Sequence, residues 1–159
     1  MLDAKTYFSG LCASLTETKD DFLFGQISDT RFLEDLISGS KRNSDFFMLD
    51  DTEDGTTVYK GGAYFERRTL TIFLLSKFTF NDMDDRRTKL QNIRAIYRKL
   101  LSKLIKDHSE QANEIEYMNL PIRFYEIPGY YMGGTCGIWF NIQLDEPIDL
   151  VYNESDWNA

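Results

Sequence analysis

The sequence predicts an α+β fold: an antiparallel-dominated sheet of four to five strands, with a long helix packed across one face and an N-terminal helix. Three stretches carry that prediction. "GGTCGIWFNIQL" (133–144) alternates, with Cys136, Ile138, Phe140, Ile142 and Leu144 pointing one way and Thr135, Gly137, Trp139, Asn141 and Gln143 the other. A period of two is the mark of a strand with one buried face. "TLTIFLLSKFTF" (69–80) is β-rich and apolar on both faces, as a central strand covered on both sides must be. Between them, Leu90, Ile93, Tyr97, Leu100, Leu101, Leu104 and His108 fall on one helical stripe of about five turns.

The remaining elements follow in chain order. Ala4, Tyr7, Phe8, Leu11 and Leu15 recur at helical spacing, and Asp3 is placed to cap, so residues 3–17 read as an amphipathic helix. Phe22, Leu23 and Phe24 form either a short strand or a packed loop. Asp29 can cap a short helix over 30–38, where Phe32, Leu33, Leu36 and Ile37 share a face and Gly39 ends it. "DFFML" (45–49) has strand character and runs into the acidic turn "DDTEDGTT", with Asp54-Gly55 near its tip. Gly61 and Gly62 mark a bend or bulge in a partly extended segment. Asn81 or Asp82 caps the long helix, and Asp84 and Asp85 suit the positive end of its dipole. "IEYMNLPIRFYEI" (115–127) is extended, and Pro128-Gly129 begins the turn into the last strand. Residues 1–150 thus form a single α+β domain, followed by an acidic C-terminal arm over 151–159.

The totals narrow the function classes. At 159 residues the chain can bury a core without disulfides or metals. A net charge of −8 argues against generic phosphate binding by the whole surface. Aromatics at 14% are a surplus of the kind that enters subunit interfaces. Cys12 and Cys136 form no CxxC and read as buried thiols of a protein made in a reducing cytoplasm. No apolar run reaches the ~20 residues that span a bilayer, and no membrane partner is expected.

Little in the chain suggests catalysis. His108 is the single histidine, and a Cys–His nucleophilic pair with Cys136 is conceivable. The alternation, however, places that thiol in the core, where a thiolate is disfavoured. "DDTEDG" superficially matches a calcium loop, but the twelfth position from Asp50 is Gly61, where a bidentate Glu is required. There is no phosphate-binding glycine loop with its lysine, no zinc spacing and no GxSxG. The expectation is no catalytic residue, no cofactor and no metal.

Charge is more informative. The long helix carries Arg86, Arg87, Lys89, Arg94, Arg98, Lys99, Lys103 and Lys106, while residues 16–54 and the tail hold most of the acids. Arg87, Arg94 and Arg98 lie in a narrow arc beside the apolar stripe. This is either a solvated helix face or a basic surface that meets an acidic arm on a second copy. Trp139 poses a related question, because it lies on the polar side of its strand, together with Phe73, Leu75, Tyr125 and Ile127 on neighbouring segments. Either the N-terminal helix covers that stripe or a neighbouring subunit does. The candidate interface residues are Trp139, Arg87, Arg94, Arg98, Asp50, Asp51, Asp54 and Trp157.

The order of these segments resembles a family. An N-terminal amphipathic helix leads to a strand pair ending in "RRTLTIFLLSKF", a long helix "DMDDRRTKLQNIRAIYRKLLSKLI", and a last strand "GTCGIWFNIQLDEPID". This layout is similar to phage tail-terminator and head–tail joining (neck ring) proteins, particularly those of Bacteroides-type phages and prophages. The resemblance implies a non-enzymatic virion protein, made in the bacterial host cytoplasm, that forms a homo-oligomeric ring, often a hexamer in tail terminators. Its implied partners are copies of itself, the tail tube and portal or neck proteins, with DNA only as cargo through the channel. It also implies that loop 50–57, segment 59–66 and tail 145–159 reach neighbours. The alternative is an acidic protein-binding module of the inhibitor or immunity type, acting on a basic partner.

Overall fold

The computed structural model describes residues 1–27, 35, 37–39, 45–51, 55–112, 115–127 and 134–157. The chain runs α1 (Ala4–Ser14), β1 (Phe22–Ile27), β2 (Asp45–Asp50), β3 (Thr56–Lys60), β4 (Ala63–Lys77), α2 (Met83–Ser109), β5 (Arg123–Glu126) and β6 (Thr135–Ile148). Short 3-10 turns occupy Ile115–Tyr117 and Glu154–Asp156. The sheet order is β1-β2-β4-β6-β5, with β3 paired to the outer part of β4. All pairings are antiparallel except β1 with β2.

The α+β class therefore holds, but the sheet has six strands, not four to five. The difference lies in two places. The bend expected at Gly61-Gly62 is a two-residue hairpin turn, with φ of +63° and +86°, joining β3 to a β4 that begins at Ala63. Positive φ at both central residues is what a hairpin of the right twist needs, and glycine supplies it without steric cost. The stretch from Phe22 is a strand rather than a packed loop, because it pairs in parallel with β2 from Phe22↔Asp45 to Ile27↔Asp50. The helix expected over 30–38, with its Asp29 cap, lies largely outside the described residues, as do Asp54 and Pro128-Gly129.

Both helices follow from local signals. Asp3 caps α1 by accepting from the Thr6 N–H at 3.0 Å. The helix stops at Ser14, short of 17, because Leu15 turns extended (φ −78°, ψ 123°). Asp82 caps α2, its Oδ1 accepting from the N–H groups of Asp84 (3.1 Å) and Asp85 (2.9 Å). Asn81 has φ +63° and marks the turn ahead of the cap. The buried stripe of α2 is Leu90, Ile93, Ile96, Tyr97, Leu100, Leu104 and Asp107, so Ile96 and Asp107 replace Leu101 and His108, which are half-buried.

α1 and α2 both pack on one face of the sheet. There Phe8 and Leu11 of α1 join Ile93, Leu100 and Leu104 of α2 over a strand layer of Phe47, Ile72, Leu74, Ile138, Phe140 and Ile142. Two polar contacts, one part-buried and one buried, hold the N-terminal segment on this face. The Tyr7 hydroxyl donates to Asp107 Oδ2 of α2 at 2.8 Å. The Leu2 N–H donates to Glu146 Oε1 at 2.6 Å, and Arg68 Nη1 donates to Glu146 Oε2 at 3.3 Å. α1 therefore does not cover the stripe around Trp139, which lies on the opposite face. That face has its own smaller core of Ile27, Ile37, Phe46, Met48, Leu75 and Ile127, with Phe73 and Trp139 half-buried against it. β6 continues to Ile148, pairing with β4 as far as Tyr64, so residues 145–148 belong to the sheet and not to a free tail.

Candidate interaction surface

The surface begins with the register of three strands. Phe73 of β4 lies opposite Trp139 of β6, and Trp139 lies opposite Tyr125 of β5. Side chains directly opposite on one face are neighbours, so the three rings form a ridge. The Tyr125 and Trp139 rings stack at 4.4 Å with 20° between planes, and Phe73 lies 6.5 Å from Trp139. Tyr125 remains 45% exposed. Trp139 thus has partial cover from its own chain, on the face away from α1 and α2.

Further along the same face the strands become polar. Thr71 and Arg123 both lie opposite Asn141, and Thr69 lies opposite Gln143. The Thr71 hydroxyl donates to Asn141 Oδ1 at 3.0 Å. Arg67 grips Asp145 through Nε (2.6 Å) and Nη2 (2.8 Å), and this holds the Asp145 carboxyl below its ordinary range. A cavity of 420 Å³ opens here, between β5, β6 and the segment at Asn119.

The basic helix face is largely paired within the chain. Arg94 binds Glu126 through Nε at 2.6 Å and Nη2 at 2.8 Å, which lowers the Glu126 pKa. Arg87 pairs with Asp84, Lys89 with Asp45, Lys99 with Glu17, Lys103 with Asp107 and Lys106 with Glu110. Arg98 is exposed and has no carboxylate partner among the described residues. The candidate interface residues therefore do not form one patch. Trp139 lies on the face opposite the α2 arginines. Asp50 ends β2 and Asp51 follows it, accepting from the Gln26 side-chain amide. Asp54 is outside the described residues. Trp157 is 68% exposed and its ring lies 6.1 Å from that of Tyr152.

The conceivable Cys136–His108 pair is not assembled. Cys136 Sγ lies 3.8 Å from the Arg86 carbonyl oxygen in the first turns of α2. The His108 Nδ1 lies 3.2 Å from the Ile115 carbonyl oxygen, at the other end of that helix. A rise of about 1.5 Å per residue puts the two ends roughly 33 Å apart. Burial also pushes the Cys136 thiol up to about 11. Among the described residues no group of three His, Cys, Asp or Glu side chains could hold a metal ion. No helix among them is long and apolar enough to cross a membrane.

Sequence reasoning placed Trp139, Phe73, Tyr125 and Ile127 on one face, as the structure does. It missed Arg123 and Asn119, because only the β5–β6 pairing brings them beside Asn141 and Gln143. Compared with family models, curated proteins and solved structures, the chain matches none of them.

Proposed function

We propose that this chain is a structural virion protein of a tailed phage, working by contact with copies of itself and its neighbours rather than by chemistry. In this reading it forms a ring at the tail end or the head–tail neck, caps the tail tube, joins it to the head and lets DNA pass through the channel. The segment order described above supports the reading by its resemblance to tail-terminator and neck proteins. The observation that carries it is the aromatic ridge of Phe73, Trp139 and Tyr125 on the sheet face opposite α1 and α2. Aromatic side chains that are half-exposed over a rigid sheet are effective anchors for a partner.

A second reading, an acidic module for a basic partner, is favoured by the internal pairing of the α2 bases. With those cations engaged, the surplus acids behind the net charge of −8 dominate what a partner meets. Mass in solution separates the two readings. Sedimentation velocity over a concentration series gives one closed high-mass species for a ring, and one or two copies for the binding module.

A further inference from the structure

The polar half of the face opposite α1 and α2 opens as a cavity beside a ring. Its cavity is lined by Asn141 and Gln143 of β6, Arg123 and Tyr125 of β5, and the rim at Asn119. The rim is fixed to β6, since the Asn119 N–H donates to the Gln143 carbonyl at 2.7 Å. Thr71 occupies Asn141 Oδ1, so the Asn141 amide hydrogens remain to donate to a ligand. Arg123 is exposed and has no carboxylate partner among the described residues, unlike most bases of α2. A guanidinium and an oriented amide next to an aromatic wall suit a carboxylate carried close to an apolar or aromatic side chain.

The chain itself carries a segment of that chemistry. Residues 149–157, "DLVYNESDW", hold Asp149, Glu154 and Asp156 and no base. Leu150, Val151, Tyr152 and Trp157 are all more than half exposed. The hydrogen bonds of the segment are internal, from Val151 N–H to Asp149 and from Ser155 N–H to Asn153, and its ring contact is Tyr152 with Trp157. It is a small preformed unit that buries little against its own domain.

We infer that segment 149–157 of one copy docks on the Arg123–Asn141 pocket of another, a carboxylate meeting Arg123 and the tail rings meeting Tyr125. This rests on the self-assembly reading and names the surfaces that meet. The test uses a fluorescent peptide of residues 149–157 titrated with full-length chain carrying Tyr152→Ala and Trp157→Ala, so that its own tails do not compete. Anisotropy is expected to show saturable binding that weakens at least about tenfold on adding Arg123→Ala, as loss of a charged hydrogen bond predicts. Adding Lys106→Ala, an exposed base of α2 on the other face, is expected to leave binding unchanged. Absence of binding, or equal weakening by both variants, overturns the inference. Mass of the unmodified chain is measured in parallel: assembly without peptide binding sinks the pocket alone, and a monomer at every concentration sinks the self-assembly reading.

Discussion

Asp107 is 2% exposed in α2 and is held by two donors, the Tyr7 hydroxyl at 2.8 Å and Lys103 Nζ at 2.5 Å. Tyr7→Phe removes one of them, and a hydrogen bond to a charged group is worth about 1.5–3 kcal/mol. Urea unfolding is expected to show a loss in that range, with the m-value unchanged. Two other carboxyls give opposite pH signatures. Asp145 is held low, chiefly by Arg67, so its contribution is present above the ordinary aspartate range and is lost as pH falls through its folded pKa. Asp45 is pushed up by burial, against the pull of the Ser76 hydroxyl and Lys89, so its contribution is present at low pH and is lost as pH rises through its folded pKa. Stability measured against pH is expected to fall less steeply on acidification in Asp145→Asn, and to decline less as pH rises out of the acid range in Asp45→Asn. Neither contact was legible in the sequence, because partners 78 and 31 residues apart meet only through strand pairing.

At the scale of elements, β6 and α2 were the most legible, since each announces itself by its own periodicity. The alternation from Cys136 to Leu144 matches the buried face residue for residue, and Asp82 takes up the cap ahead of α2. Capping predicts that Asp82→Ala costs about 1 kcal/mol in thermal or urea unfolding. The parallel β1–β2 pair and the β3–β4 hairpin were less legible, because pairing is a property of two segments and not of one. Gly137 shows the same limit. Alternation put it on the polar side, yet a Cβ there would lie 2.0 Å from the Leu74 carbonyl oxygen of β4. Backbone cannot yield as a flexible side chain can, so Gly137→Ala is expected to cost about 3 kcal/mol or more, the upper end for overpacking. Poor soluble yield or a lowered unfolding midpoint would register it.

The whole molecule has two faces: α1 and α2 build the larger core on one, and the other carries a smaller core whose half-buried rings, in the proposed reading, make the contacts. Arg94 pairs with Glu126 of its own chain, whereas Trp139 stacks on Tyr125 and is the residue the proposed reading gives to the contact surface. That division is tested most directly by the mass of the chain in sedimentation velocity across a concentration series, for the unmodified protein and for Trp139→Ala. Self-association through the aromatic ridge predicts a closed ring for the first and a shift to smaller species for the second, with circular dichroism showing that the variant stays folded. An unmodified chain that remains monomeric at every concentration, or a Trp139→Ala variant that assembles just as well, would contradict it.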